Sequence, residues 1–458
     1  MKDYITVIGG GLAGCEAAYQ IAKKGIKVKL YEMKPLKYTP AHSNKDLAEI
    51  VCSNSFKSNL LTNACGLLKE ELRRLDSLLI KIADKTSVPA GQALAVDRDV
   101  FSKKVTEEIN NNPLIEIIHE EIGDKISITD IAKDGIVIIA TGPLTSEKLS
   151  KEIIELTGET NLAFYDAAAP ILTKDSIDFN IAFYGNRYDQ EKKKEESVED
   201  WLKRLNNQNA SYINLPMNKE EYENFVKELV EADIVTLHDF EKKEIFEGCM
   251  PIEIMAKRGV DTLRFGPLKP VGFDDPRTGK RPYAIVQLRQ DNAESTLYNI
   301  VGFQTNLKFG EQKRVFSMIP GLENAEFVKY GVMHRNTYVN STKLLDETYN
   351  FKQNKNIYFA GQITGVEGYV ESISSGLVAG IDAVRNYQEQ KQNIHLEKNI
   401  FSEYTMIGAL SKYISTPNEK FQPMNANFGI LPSLEEKIKD KKLKYQKLAE
   451  RALKFLHN

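Results

Sequence analysis

The stretch "YITVIGGGLAGCEAAYQIAKKGIKVKLYEM", Tyr4 to Met33, decides the fold. Tyr4 to Ile8 is a short apolar run of the kind that forms a strand buried on both faces. Cys15 to Lys24 is alanine-rich and free of proline, so it reads as a helix. Ile26 to Tyr31 returns to strand composition and ends at Glu32. Between the first strand and the helix, Gly9, Gly11 and Gly14 fill a GxGxxG spacing. Such glycines permit a tight turn and a close backbone approach to a pyrophosphate, which the helix N-terminus stabilises. Gly9, Gly10, Gly11, Leu12, Ala13 and Gly14 are therefore the expected cradle. Glu32, eighteen residues after Gly14, is placed to accept hydrogen bonds from ribose hydroxyls. The glycines alone would also suit a structural turn. Strand, glycines, helix, strand and acid in this order point to a dinucleotide site.

Two later segments return to the same theme. "DGIVIIATGPL" holds a strand, Ile136 to Ile139, ahead of Ala140, Thr141 and Gly142. "NIYFAGQITGVEGYVESISSGLVAGIDAVRNY" holds a strand from Ile357 to Ala360 and a turn with Gly361, Gln362, Gly365 and Gly368. The helix that follows carries Ser374, Ser375, Gly376, Ala379 and Gly380, small enough for close packing. Large flavoproteins close an FAD site with such a late strand–glycine–helix unit, whose helix N-terminus faces the cofactor. The expected fold is α/β, an FAD-binding Rossmann-like domain interrupted by an α+β insertion domain. Residues 1–165 and 334–458 would form the FAD-binding part with a C-terminal cap, and 166–333 the substrate lobe.

The chain has 458 residues, 42% hydrophobic and 27% charged, an ordinary balance for a folded two- or three-domain protein. No run approaches the roughly 18 apolar residues of a membrane helix. The N-terminal apolar run ends in glycines and reads as a first strand, not a signal peptide. Four cysteines, Cys15, Cys52, Cys65 and Cys249, are widely spaced, and no pair has metal-ligand spacing. Free thiols in a cytoplasmic protein are the expectation, with no metal. The net charge is −3, so nucleic acid would have to be met by a local basic patch.

Cys15 and Cys65 sit in helical text and are expected to pack. Cys65 opens a stripe, Leu67, Leu68, Leu72, Leu75 and Leu79, that reads as one helix. Tyr222, Phe225, Leu229 and Val230 also follow helical spacing and should face a core. Glu191 to Asn209, with the only tryptophan, reads as a solvated helix or flexible insertion. Residues 257 to 281 hold seven cationic residues against three carboxylates, punctuated by prolines. Arg258, Arg264, Lys269, Lys280 and Arg281 suit phosphate contacts there, and a merely solvated basic loop is the other reading. Cys52 stands apart, because "AEIVCSNSFKSN" puts a thiol at the head of a polar loop rather than in an apolar run.

Many collinear segments give a resemblance that covers nearly the whole chain. They include "GGGLAGCEAA", "AEIVCSNSFKSN", "VPAGQALAVDRDVFS", "FYDAAAPI", "FEGCMPIEIMAKRG", "TLRFGPLKPVG", "GVMHRNTY", "AGQITGVEGYVESISSGLVAG" and "FQPMNANFGILP". The chain resembles the TrmFO family of folate- and FAD-dependent tRNA uracil-5-methyltransferases. The resemblance implies FAD as cofactor, methylenetetrahydrofolate as carbon donor, NAD(P)H as reductant and 5-methyluridine in RNA as product. Uridine 54 of the tRNA T-loop is the default target, and a 23S rRNA uridine is the alternative. It implies that Cys52 and Cys249 are the two essential thiols. Cys249 is assigned the attack on uracil C6 and Cys52 the proton abstraction, although the motifs also allow the exchanged roles. His334 matches a histidine expected to stack on the folate ring. Two departures bear on the RNA: Leu215 stands where the family commonly has cysteine, and the chain is longer between Asp189 and Tyr212.

Two other classes fit parts of the same text. An FAD-dependent oxidoreductase of a small molecule suits the glycine units and the near-neutral charge. Its disulfide-reductase form does not suit two cysteines outside any CxxC pair. A flavin-bearing RNA binder without catalysis would not need both Cys52 and Cys249. Oligomeric state is not legible in the sequence.

Overall fold

A computed structural model describes the chain except residues 1, 124, 159–161, 188–194, 198, 202–210, 236–249, 399, 420 and 457–458, and the side chains of 162–166 and 333–335. The first sheet is parallel and contains β1 (Tyr4–Ile8), β2 (Lys27–Glu32), β6 (Ile115–His119), β7 (Val137–Ile139) and β16 (Ile357–Phe359). Their order is β16-β7-β1-β2-β6, so the late strand joins the first sheet beside β7. A small antiparallel sheet, β3 (Ser55–Ser58), β5 (Ala93–Val96) and β4 (Ser87–Val88), stands alongside. The second large sheet is antiparallel. It has the order β10 (Phe183–Tyr184), β11 (Tyr212–Met217), β12 (Ala284–Gln290), β13 (Leu297–Ile300), β9 (Ile171–Thr173), β14 (Phe327–Lys329). The backbones of β8 (Leu162–Ala167) and β15 (Met333–Tyr338) pair antiparallel, at the two points where the chain passes between the large sheets.

Each large sheet has its own apolar core. Around the first, the Leu12–Ala22 and Tyr369–Gln392 helices pack at close range. Gly376 makes this possible, since a Cβ there would lie 2.2 Å from the Ala13 carbonyl oxygen. The late helix that sequence reading paired with the glycine turn is therefore a packing partner of the first helix. Cys15 and Cys65 are buried in this core. Leu448, Ala449 and Ala452 of the Lys441–Phe455 helix join it, so the C-terminal segment closes the first unit. In the second core, Tyr222, Phe225 and Leu229 of the Lys219–Glu231 helix are fully buried and Val230 partly so.

Three expectations are corrected. The leucine stripe from Leu67 to Leu79 belongs to two helices, Ala64–Arg74 and Leu78–Lys85. Asp76, at φ +65°, breaks the run, and the buried Glu16 carboxylate receives both Ser77 Oγ–H and Leu79 N–H at the new helix start. Trp201, expected in a solvated segment, is wholly buried against Phe183, Phe273 and Ile285. Of the stretch around it, residues 195–197 and 199–201 are described. Leu215 is a core residue of β11, buried beside Gly321, and does not face a surface where RNA would be read. Its burial contributes about 2 kcal/mol, which a packing role explains by itself. Among the described residues no helix is long and apolar enough to cross a membrane.

Candidate active site

The cleft opens at the carboxyl end of β1. β2 and β7 flank β1 on opposite sides, which is the strand arrangement that leaves a crevice in a parallel sheet. Gly9, Gly10, Gly11, Leu12, Ala13, Glu32, Gly361 and Gln362 line this cleft, with Thr141 and Gly142 from the end of β7. Glu32 Oε2 accepts the Gly10 N–H at 2.8 Å and Oε1 the Lys34 N–H at 2.9 Å. Each oxygen keeps a lone pair for a ribose hydroxyl. A Cβ on Gly11 would meet nothing within 4 Å, so the start of the first helix faces open space. Backbone cradle, fixed carboxylate and second glycine turn together fit the pyrophosphate and ribose of FAD.

Gly14, Gly365 and Gly368 were expected as cofactor contacts but do not line this cavity. A Cβ on Gly14 would lie 1.8 Å from the Gly9 oxygen, one on Gly365 2.4 Å from Phe421 Cζ, and one on Gly368 2.2 Å from Glu371 Oε2. All three are required by packing. The turn also pairs with the C-terminal segment: the Gly365 oxygen accepts the Met424 N–H at 2.8 Å, and the Glu367 N–H donates to the Met424 oxygen at 2.8 Å. Glu371, buried in the first turn of the Tyr369–Gln392 helix, accepts the Ala426 N–H at 2.9 Å and pairs with Lys57 at 3.4 Å. Burial disfavours the Lys57 charge, but Glu371 outweighs it and lifts the ammonium above its usual range.

Cys52 follows Val51, which lines the cleft, and its Sγ lies 3.7 Å from the Ala167 carbonyl oxygen. The Tyr369 hydroxyl oxygen accepts both the Cys52 N–H at 3.0 Å and the Ser53 N–H at 3.1 Å. Two arginines hold the same loop. Arg98 donates to the Ile50 and Val51 carbonyls at 3.2 and 3.3 Å and pairs with Asp291 at 3.0 Å. Arg289, in β12 of the second sheet, donates to Ser53 Oγ at 2.7 Å and Asn54 Oδ1 at 3.0 Å. Burial works against the Arg98 charge, and the Asp291 carboxylate overcomes it, whereas burial pulls Arg289 below its ordinary value. Asn54 completes the tie by donating to the Val96 and Gln290 carbonyls at 3.0 and 2.9 Å. The thiol is thus held where the two sheets meet, within the field of two guanidiniums. Burial and the nearby Cys52 both push the Tyr369 hydroxyl up, so it stays protonated as a phenol.

Tyr369, Arg98 and Arg289 were not singled out in the sequence. Arg98 lies inside the quoted "VDRDVFS" and Tyr369 inside "EGYVES", but neither text says which loop the side chain meets. Cys249 lies outside the described residues. The nearest described anchor is the Ile252 N–H, which reaches the Gln304 oxygen at 2.7 Å. The His334 backbone pairs with Asp166, and its side chain lies outside the description.

The basic segment lies in the second unit. Arg258, Lys269, Lys280 and Arg281 are exposed. Arg264 is engaged within the lobe rather than held out toward solvent. It pairs with Asp261 at 3.1 Å and its guanidinium lies 4.2 Å over the Tyr283 ring and 5.0 Å over the Phe265 ring. Arg187 clamps the following turn by donating to the Lys269 and Val271 carbonyls at 2.8 and 2.7 Å.

Residues 4–391 match the family described as Glucose inhibited division protein A. The methylenetetrahydrofolate–tRNA-(uracil-5-)-methyltransferase TrmFO of Acetivibrio thermocellus is 59% identical over 457 residues, covering 100% of this chain and 98% of that protein. The protein of the same name from Fusobacterium nucleatum is 57% identical over 458 residues, covering 100% and 99%. Among solved structures, GidA of Aquifex aeolicus superimposes with a TM-score of 0.66 at 17% identity, over 99% of this chain and 73% of that one. That likeness concerns the fold.

Proposed function

This chain belongs to the TrmFO family, and on that premise we propose that it methylates uridine C5 in RNA, with U54 of the tRNA T-loop as its target. The observation that carries this reading is the placement of Cys52: a thiol beside a dinucleotide cleft, its loop tied to the first unit by Tyr369 and Arg98 and to the second by Arg289. FAD, held by Gly9 to Ala13, Glu32, Gly361 and Gln362, supplies the redox and one-carbon chemistry, with NAD(P)H as reductant and methylenetetrahydrofolate as carbon donor. Cys249 adds through sulfur to C6 of the uracil, which makes C5 nucleophilic enough to take up the carbon. Cys52 removes the C5 proton, elimination of Cys249 restores the C5–C6 double bond, and the transferred carbon, which arrives at the methylene level, would be reduced to methyl by hydride that the NAD(P)H-reduced flavin would supply. His334 stacks on the folate ring. The target base leaves its stack to reach the cleft, which costs least in a loop. Exposed Arg258, Lys269, Lys280 and Arg281 contact phosphates. Residues 1–165 and 334–458 act as the FAD-binding part and 166–333 as the RNA lobe, in the cytoplasm.

The test supplies labelled methylenetetrahydrofolate, NAD(P)H and the yellow, flavin-loaded protein to unmodified tRNA and 23S rRNA transcripts in parallel. Label is expected in tRNA at U54. Label in rRNA alone would move the target and keep the chemistry; label in neither would favour an oxidoreductase of a small molecule. With 5-fluorouridine-containing tRNA, a covalent protein–RNA adduct is expected, and its loss in Cys249→Ala but not Cys52→Ala fixes the roles as assigned.

A further inference from the structure

The most exposed aromatic ring in the basic segment is Phe265, 71% accessible at the end of the short Thr262–Phe265 helix. A single exposed phenylalanine is ordinary on a protein surface. Three observations make this one different. The first is charge: residues 257–281 carry seven cationic residues against three carboxylates, on a chain whose net charge is −3. The second is rigidity. The Arg264 guanidinium stacks 5.0 Å from Phe265 and 4.2 Å from Tyr283, with its Nε buried and making no hydrogen bond. The Tyr222 hydroxyl accepts the Arg264 N–H at 3.2 Å and donates to the Val260 carbonyl at 2.6 Å. The Leu268 N–H returns to the Leu263 carbonyl at 2.9 Å, so the turn after Phe265 is also pinned. The third is position. Tyr283 immediately precedes β12, and Arg289, at the far end of that strand, holds the Cys52 loop. Six residues of strand separate the two by about 20 Å.

We infer that Phe265 is a base-stacking residue of the RNA surface, taking an unpaired nucleobase several nucleotides away from the one that reacts. The inference rests on the RNA reading proposed above. A ring held in place before binding loses little freedom on contact, and every base offers a π-face to it. The cations around it suit the phosphates on either side of that base. The strand between Tyr283, on which Arg264 stacks, and Arg289, which holds the Cys52 loop, is as long as about six nucleotides at stacked spacing, so the ring meets a neighbouring part of a folded RNA rather than the base that reacts.

The experiment measures binding of the flavin-loaded protein to an unmodified tRNA transcript by fluorescence anisotropy, across a series of salt concentrations. Phe265→Ala is expected to weaken binding about 10-fold with the salt slope unchanged, because a stacking contact and no phosphate contact is removed. Phe265→Trp is expected to bind at least as well as the parent. The melting temperature of both variants should match the parent, since the ring is outside the core. Parental binding by Phe265→Ala, a shallower salt slope, or a tryptophan variant as weak as the alanine one would each overturn the inference while leaving methyl transfer intact. A parent protein that neither binds nor labels RNA would overturn the RNA reading itself, and this inference with it.

Discussion

The glycine cleft and the basic segment are built by different means. In the cleft, binding groups are backbone amides and one carboxylate, and side chains matter mainly by being absent. Gly11 faces open space, while Gly14 and Gly376 let chain segments touch. In the basic segment, the proposed phosphate contacts are long side chains whose availability depends on what else they meet. Arg264 is taken up by Asp261 and two rings, whereas Lys280 remains exposed. The first kind of site is specified by spacing along the chain and the second by neighbours in space. The Cys52 loop lies between them and shares both characters: a turn in the first unit, fixed by an arginine from the second.

The largest effect that sharpens this contrast is on Gly14 and Gly11, three residues apart and opposite in kind. Gly14→Ala would press a methyl group against the Gly9 oxygen at 1.8 Å, so a loss of about 4 kcal/mol or more of stability is expected in urea unfolding. Gly11→Val places its Cβ where no protein atom lies within 4 Å and should unfold like the parent, yet its side chain fills the space over the cradle. Its FAD affinity should fall on the order of 100-fold, read as lost flavin absorbance after gel filtration. Equal stability loss in both variants would erase the distinction between packing glycines and binding glycines.

Next comes the thiol between the two regions. Cys52→Ala should lower methyl transfer on the order of 100-fold or more while leaving the flavin spectrum in place. Full activity in this variant would remove Cys52 from the chemistry and reduce its loop to a structural tie.

A smaller effect concerns how the C-terminal segment is attached to the first unit. Glu71 is fully buried and accepts the Met406 and Ile407 N–H groups at 2.8 and 2.9 Å, at the start of the Met406–Ser415 helix. Burial pushes its carboxyl up to about 8, against the two N–H bonds that favour the charged form. An acid whose folded value is raised resists ionisation in the folded state. Its ionisation therefore lowers stability progressively between about pH 4.5 and about pH 8, and the loss is constant above that. Stability of the parent relative to Glu71→Gln should fall by about 2–4 kcal/mol across this window in urea titrations at several pH values. A difference independent of pH would mean that the carboxylate is ionised throughout.

The smallest effect belongs to single cations of the basic segment. Lys280→Ala should weaken RNA binding modestly and lower the salt slope by about one, as expected for one phosphate contact. Arg264→Ala should leave the slope closer to the parent's, since that guanidinium is already paired. Equal changes in slope would abolish the distinction drawn between exposed and engaged cations.

The sequence by itself determined the parts of this protein whose physics is local. The strand–glycine–helix–strand–acid order from Tyr4 to Glu32 is visible because hydrophobic period, glycine and acid spacing act within one βαβ unit. The late strand–glycine–helix unit was legible for the same reason. Cys52 stood out because a thiol in a polar loop lacks a packing explanation. Collinear motifs then carried the family and the reaction. Tertiary structure decided everything that depends on which segments meet. The leucine stripe ran on in the sequence, but a turn at Asp76 and the Glu16 carboxylate divided it into two helices. Trp201 sits among charges along the chain and in an apolar pocket in space. Gly14, Gly365 and Gly368 read as binding glycines because spacing cannot tell a ligand from a neighbouring carbonyl, ring or carboxylate. Arg98, Arg289 and Tyr369 reach Cys52 from positions 46, 237 and 317 residues further along the chain, a separation at which no local pattern marks a partner.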